Sequence, residues 1–302
     1  MLGANIRFGS ETMNQQGVDR RRFFRTFATA AAFAALNLPH ALQADAPMWS
    51  STTAPLALKL GVASYSFRKF GPDDVIGFMR TLNTPFLNAK DVHLPLTPLA
   101  ATKVAAEKFR TAGLTLTAAG TIYFQRDEDA DMRQKFDYCR AAGIALIVAG
   151  PTPETLPRLE KFAGEYDIKV AIHNHGPEDR YFPSPMEALE AVKGMDPRMG
   201  VCIDVGHTAR AGIDVSTAIR QAGPRLYDVH MKDLVKEGGQ WKQVAVGDGS
   251  LPVEKIFAAL VETRYSGYVD LEYEISENDP LPGMIKSFAY MRGVLAGMGC
   301  SS

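Results

Sequence analysis

"IKVAIHNHG" (168–176) decides the fold. A largely apolar run, Ile168 to Ile172, stops abruptly in His173, Asn174, His175 and Gly176. A short apolar run closed by a glycine reads as a buried strand. Side chains two apart on a strand share a side, so His173 and His175 point the same way where the strand leaves the core. Whether they are metal ligands, bases or polar residues at a strand end depends on what the other strands bring to the same place.

Working outward, the same element recurs. Strands are read at 56–64, 86–94, 114–120 and 144–150, then at 168–176, 199–207, 226–233 and 268–274. Helical patterns lie between them, for example "PLAATKVAAEKFRTAG" (98–113) and "EDADMRQKFDYCRAAG" (128–143), where Met132, Phe136 and Cys139 recur at helical spacing. Gly113, Gly143, Gly164, Gly194 and Gly223 are each expected to close a helix, where glycine takes the left-handed conformation cheaply. One strand and one helix cannot bury their own apolar faces, so the units must pack together. Eight such units over about 245 residues predict an α/β fold, a single-domain (β/α)8 TIM barrel spanning 56–302. A doubly wound sheet is the alternative, but "GVASYSF" (61–67) offers no glycine-rich phosphate loop after the first strand.

The polar residues then fall into a pattern. His93, His173, His175, His207 and His230 all stand at or just past the C-terminal end of a predicted strand. So do Lys90, Asp204, Lys232, Asp233, Glu272 and Glu274. In a (β/α)8 barrel those ends converge on the face where active sites are built. Alternation sends Val201 and Ile203 toward the helices and Cys202 and Asp204 toward the axis; it likewise sends Asp270, Glu272 and Glu274 inward. Inward carboxylates need a cation or a donor to offset desolvation. Asp204, His230 and Glu272 offer an oxygen, a nitrogen and an oxygen from three successive strands, a mixture suited to a divalent ion.

"IDVGH" (203–207), "VHMKD" (229–233), "VGDGSLPVEKIFAAL" (246–260) and "VDLEYE" (269–274), in that order, resemble the xylose-isomerase-like barrel superfamily, the sugar phosphate isomerase/epimerase group. The resemblance covers essentially the whole chain after its N-terminal segment. It implies one divalent metal (Mn, Zn, Co, Fe or Mg) held by strands five to eight, with Asp204, His230 and Glu272 matching the last three ligands. At the first ligand position many relatives read Glu-Asn-His, whereas this chain reads His173-Asn174-His175. His173 thus stands where a glutamate is expected, which removes one negative charge and favours softer ions than Mg²⁺.

Each remaining candidate has a functional and a structural reading. His207 either acts as acid or base on a substrate hydroxyl or anchors a loop. His175 contacts substrate or packs under the strand-five loop. Lys232, on the same side as His230, shuttles a proton or pairs with Asp233. Lys90 and His93 bind substrate or solvate a loop, and Glu274 binds substrate or sits in an exposed turn. Tyr65, Phe67, Tyr123 and Phe124 would wall a sugar ring or belong to the core rim. "VKEGGQWK" (235–242) reads as a hairpin placing Trp241 over the site.

The composition, 46% hydrophobic and 22% charged with net charge −1 over 302 residues, is that of a globular protein without a basic nucleic-acid footprint. No apolar stretch reaches the roughly 18 residues that span a bilayer. Residues 1–46 read instead as an export signal and cleavage region: Arg20, Arg21 and Arg22 precede an uncharged, alanine-rich run from Thr26 to Leu38. Asp19 through Arg25 resembles a twin-arginine signal, with cleavage expected near Ala44 and a linker at 47–55. The mature protein is then periplasmic, without stable membrane association. Three cysteines give no disulfide framework.

The resulting expectation is a metal-dependent sugar isomerase, epimerase or lyase working through an enediolate on a small carbohydrate. The rival is a non-catalytic periplasmic carbohydrate-binding barrel, favoured by the missing glutamate. An abasic-site nuclease on the same scaffold is disfavoured by the charge and the export signal. The sequence leaves self-association open.

Overall fold

The structure is a computed structural model, and it describes residues 57–301. The export signal, its cleavage region and the linker lie outside the described residues. In chain order the elements are β1 (Lys59–Ala63), α1 (Pro72–Thr81), β2 (Phe86–Ala89), α2 (Leu99–Thr111), β3 (Thr115–Phe124), α3 (Asp129–Ala142), β4 (Leu146–Pro151), α4 (Leu156–Tyr166) and β5 (Lys169–His173). The second half adds α5 (Pro185–Ala191), β6 (Met199–Asp204), α6 (Val205–Arg210), α7 (Val215–Ala222) and β7 (Leu226–Met231). A hairpin of β8 (Asp233–Glu237) and β9 (Gln240–Val244) precedes α8 (Val253–Glu262), β10 (Tyr268–Leu271) and α9 (Leu281–Gly297). Eight strands close in the order β1-β10-β7-β6-β5-β4-β3-β2, all parallel. This is the (β/α)8 barrel that the repeating pattern predicts. Among the described residues no helix is long and apolar enough to cross a membrane.

Two apolar layers follow from strand alternation. Val201, Ile203, Val269 and Leu271 join the large core between strands and helices. Cys202, with Ala118, Leu146, Val148 and Ala171, fills the barrel interior with small and medium side chains. Cys139, Cys202 and Cys300 are all free thiols.

The glycine stops are mostly as expected, because positive φ relieves the chain at Gly113, Gly143, Gly194 and Gly223. Gly164 is different. It lies inside α4, and Asp167 takes the left-handed conformation that ends that helix. The second strand is also shorter than read, ending at Ala89 rather than running to residue 94. Residues 91–93 turn instead, and this moves His93 away from the strand end.

Asp233 shows why the segment after β7 has its sequence. Its carboxylate accepts backbone N–H groups from Gly247 at 2.9 Å, Gly249 at 3.1 Å, Leu251 at 3.1 Å and Leu234 at 2.8 Å. A Cβ at residue 249 would overlap that carboxylate, so the loop needs glycine there. Asp233 therefore ties the 246–251 loop to the hairpin and leaves Lys232 to face the barrel mouth.

Candidate metal centre

At the C-terminal mouth four strands deliver His173, Asp204, His230 and Glu272, and one ligating atom from each lies within 4.8 Å of the others. Their placement follows from local structure. Asp204 ends β6 and caps α6, its Oδ1 accepting the His207 N–H at 2.7 Å. That leaves Oδ2 buried and facing the cluster, where the Lys232 ammonium stands 3.1 Å away. Asn174 staples the neighbouring strand end in place: its Oδ1 accepts the Asp204 N–H at 3.0 Å and its Nδ2 donates to Thr208 Oγ1 at 3.1 Å.

The spacing suits an ion. His173 Nε2 stands 3.1 Å from His230 Nδ1 and 3.6 Å from Asp204 Oδ2, and His230 Nδ1 stands 3.1 Å from Glu272 Oε2. Tetrahedral bonds of about 2.0–2.1 Å put ligand atoms roughly 3.3 Å apart, so these separations bracket what a cation requires. With two inward carboxylates and two facing imidazole nitrogens, the donor set fits a divalent metal, and His173 supplies a nitrogen where a carboxylate was expected. One feature departs from common metal-histidine architecture: His173 Nδ1 has no partner of its own.

His230 is held from behind. Its Nε2 lies 2.9 Å from the Asn88 amide nitrogen and 3.9 Å from Asp228 Oδ2. Asn88 Oδ1 has no partner in this orientation. Turning the amide over would place that oxygen on Nε2–H at the loss of the 3.2 Å bond from Nδ2 to Asp228 Oδ2. Burial opposes a charged ring, yet Cys202 and Glu272 hold the His230 pKa well above its ordinary value, so an ion would displace the Nδ1 proton to be ligated there.

Of the two readings of Lys232, the pairing with Asp233 is not what the structure has: the side chain turns to the cluster. Its Nζ is 3.1 Å from Asp204 Oδ2 and 3.0 Å from Glu272 Oε2, and it also pairs with Glu274. Burial opposes its charge, yet the carboxylates of Asp204, Glu272 and Glu274 outweigh burial and hold the amine well above its usual range. Burial would likewise raise Glu272, but Lys232 and His230 keep that carboxyl well below the usual range. Burial, then the neighbouring His230 and His175, push His173 well below an ordinary histidine, so the ring is neutral and able to ligate.

Beneath this ring lies a second polar layer. Asp228 and Asp270 are both fully buried, and both Asp270 oxygens lack partners. Burial and then the Asp228 charge raise Asp270 well above the carboxylate range, and burial pushes Asp228 up to about 6. Gly61 on β1 makes the room, since a Cβ there would overlap the Asp270 carboxylate.

His173 and Glu272 of the cluster, with Lys232, form one wall of a cavity of about 230 Å³, also lined by Tyr65, Lys90, Tyr123, His175, His207 and Glu274. Two rim histidines are oriented by opposite partners. His175 Nδ1 lies 3.1 Å from Asp179 Oδ2, while its Nε2 faces Tyr123 OH at 3.4 Å. A carboxylate on Nδ1 fixes the proton there and leaves Nε2 as the basic nitrogen. His207 Nδ1 receives Arg210 NH1 at 3.0 Å, and a guanidinium only donates, so the neutral ring carries its proton on Nε2. His175 is therefore arranged to accept a proton and His207 to donate one. Neither Asp179 nor Arg210 stands out in the sequence. Arg210 is three residues from His207 on α6, a helical spacing that makes neighbours once the short helix is recognised, whereas Asp179 reaches His175 through a loop.

Lys90 lines the cavity, bonded to the Thr121 carbonyl and 5.3 Å above the Tyr123 ring; burial lowers its pKa. His93 does not line it. Its Nδ1 lies 3.0 Å from Ser64 Oγ, and its Nε2 lies 3.1 Å from the Phe67 carbonyl and 3.2 Å from that of Phe70. Only 1% exposed, it braces the β1 and β2 ends, which corrects the expectation that it faces substrate. Phe67 and Phe124 are core residues, leaving Tyr65 and Tyr123 as the aromatic wall.

A profile of the "Xylose isomerase-like TIM barrel" family matches residues 83–294. The chain belongs to that family. Among individual relatives of this xylose isomerase-like barrel is the inosose dehydratase of Bacillus velezensis, 28% identical over 141 residues, which are 41% of this chain and 46% of the relative. The chain spans about half the length of the curated relatives it matches. Solved structures share the fold. The IolI protein with a bound zinc atom superposes with a TM-score of 0.67 at 18% identity, over 80% of this chain and 99% of that one. The 3-keto-D-glucoside 4-epimerase of E. coli gives 0.64 at 16% identity, over 78% and 99%.

Proposed function

We propose that this xylose isomerase-like barrel is a divalent-metal-dependent enzyme that removes the proton beside the carbonyl of a keto-sugar or related derivative. One observation carries the reading: four ligands converge at the barrel mouth, and two of them, His173 and Glu272, line a cavity together with a carboxylate-oriented histidine. When bound, the ion polarises the carbonyl and offsets the negative charge that develops on its oxygen. His175 Nε2 takes the proton, with Asp179 stabilising the imidazolium. Lys90 and His207 present N–H donors to substrate oxygens, and Tyr65 and Tyr123 flank the ring.

Reprotonation at the same carbon gives an epimer, reprotonation at the adjacent carbon an isomer, and departure of a β-substituent an elimination product. The relatives' names, a dehydratase of an inosose and an epimerase of a 3-keto-glucoside, support a keto-sugar as the substrate class. The donor set favours Zn²⁺, Mn²⁺, Co²⁺ or Fe²⁺ over Mg²⁺, because two of four ligands are imidazoles. We also place the mature protein in the periplasm, on the strength of Arg20, Arg21 and the uncharged run after them. Replacing both arginines by lysine should trap the precursor in the cytoplasm, as cell fractionation would show.

Metal analysis of purified protein, with His230→Ala as control, tests the reading together with exchange of substrate protons in deuterated water. Bound metal and exchange in the wild type, both lost in the variant, are expected. A wild type without metal, or unchanged metal in the variant, sinks the assignment.

A second reading draws on Lys232, whose ammonium already pairs with both Asp204 and Glu272 without any ion. On that reading the barrel binds sugars without turning them over. Saturable sugar binding with no proton exchange, in protein supplied with Zn²⁺ or Mn²⁺, would favour it.

A further inference from the structure

A second cavity, of about 290 Å³, opens beside the first, and His207, Lys232 and Glu274 line both. Its outer wall is the β8–β9 hairpin. Gln243 clamps that hairpin to the end of β10: its Nε2 donates to the Glu272 carbonyl at 2.6 Å, and its Oε1 accepts the Glu274 N–H at 3.0 Å. Trp241 is two residues from Gln243 on the same strand and shares its side, so the clamp turns the indole to the cavity it lines. The wall is thereby part of the barrel mouth.

The charges of this second cavity are matched. Arg210 pairs with Glu178, and Lys232 is surrounded by three carboxylates. Among the lining residues an anionic group such as a phosphate would find no uncompensated cation, although the exposed Lys236 Nζ stands 5.5 Å from the Trp241 ring centroid. A neutral polyol would find an indole face, the Gln240 amide and the Nε2–H of His207 at the junction with the first cavity. Polar groups around one aromatic plane suit a ring that is apolar on its faces and hydroxylated at its edge.

We propose that the second cavity is a subsite for a second, uncharged sugar unit, so that the substrate is a glycoside whose reacting ring lies at the metal centre and whose other ring stacks on Trp241. The inference rests on the proposed keto-sugar chemistry for the first ring, and the test separates the two.

Metal-loaded full-length protein is titrated calorimetrically with 3-keto-glucose and with the 3-keto derivatives of cellobiose and maltose, bearing the ketone on the non-reducing ring. Stacking of a second ring on an indole predicts at least one of the disaccharides binding about tenfold tighter than the monosaccharide. Trp241→Ala should erase that difference and leave monosaccharide affinity and metal content unchanged, while Trp241→Phe should keep part of it. Equal affinity for one ring and two in the wild type overturns the subsite and leaves the first-ring reading intact. So does a Trp241→Ala variant that weakens mono- and disaccharide alike, or a sugar phosphate that binds tighter than both disaccharides. Binding of no sugar at all overturns both readings together.

Discussion

The ends of β5 and β6 each carry a histidine into the same cavity, and the two are set up in opposite senses. His175 is backed by the Asp179 carboxylate and His207 by the Arg210 guanidinium. An acceptor behind Nδ1 makes the far nitrogen a base, and a donor behind it makes the far nitrogen a donor. Two identical side chains just past neighbouring strands therefore acquire different chemistry from one residue apiece, Asp179 in a loop and Arg210 at the end of α6. The same logic extends to His230, where the Asn88 amide stands behind the ring and the ligating nitrogen faces the cluster.

The sharpest way to break this comparison is to remove the base. His175→Gln should lower substrate proton exchange by about 10²–10⁴-fold, the usual worth of a positioned general base, with bound metal unchanged by elemental analysis. If His207→Gln has the larger effect on exchange, the assignment of roles is reversed. The next largest effect belongs to the residue behind His230. Asn88→Leu keeps the volume and removes the amide, and it should weaken metal binding by about 10–100-fold, read from competition with a chromophoric chelator. Unchanged affinity would show that Asn88 does not set the His230 tautomer.

What could be read from the sequence was what depends on period and order. Alternation alone sent Asp204, Glu272 and Asp270 inward, because a strand has only two sides. Parallel order then brought those ends together with His173 and His230. The partners of the histidines were not legible. Asp179 lies in a loop, where no period relates a residue to its neighbour in space. Arg210 lies on α6, a helix whose first half reads as the end of a strand in the sequence, so its i, i+3 relation to His207 was hidden. His93 misled for a related reason. The chain turns at 91–93 instead of extending, so a histidine close to a strand end in sequence points under the strands rather than into the cavity. The hairpin over the mouth was visible in its glycine pair, yet its anchoring by Gln243 depends on backbone groups of another strand.

A smaller effect tests the donor side of the comparison. Arg210→Met leaves His207 free to take either tautomer, so its N–H faces the cavity only part of the time. Losing one neutral hydrogen bond, worth about 0.5–1.5 kcal/mol, should raise KM about three- to tenfold and leave kcat within a factor of two or so. A fall in kcat with KM unchanged would mean that His207 acts on the reacting atoms in the transition state rather than holding a hydroxyl.

The smallest effect concerns the histidine that the structure removes from the cavity. Burial lowers the His93 pKa from 6.5, only partly countered by the Phe67 and Phe70 carbonyls that accept from its ring. The unfolded chain then takes up that proton first as pH falls. His93 therefore contributes stability that is complete above about pH 6.5 and is lost progressively below it. His93→Gln keeps a donor and an acceptor in the same place and cannot titrate. Denaturant melts between about pH 7 and pH 5 should show the wild type losing more stability than the variant, by a slope difference of at most ~1.4 kcal/mol per pH unit, one proton's worth. Equal slopes would mean that His93 is not held neutral against those carbonyls, and the contrast between a bracing histidine and the two working ones would have to rest on position alone.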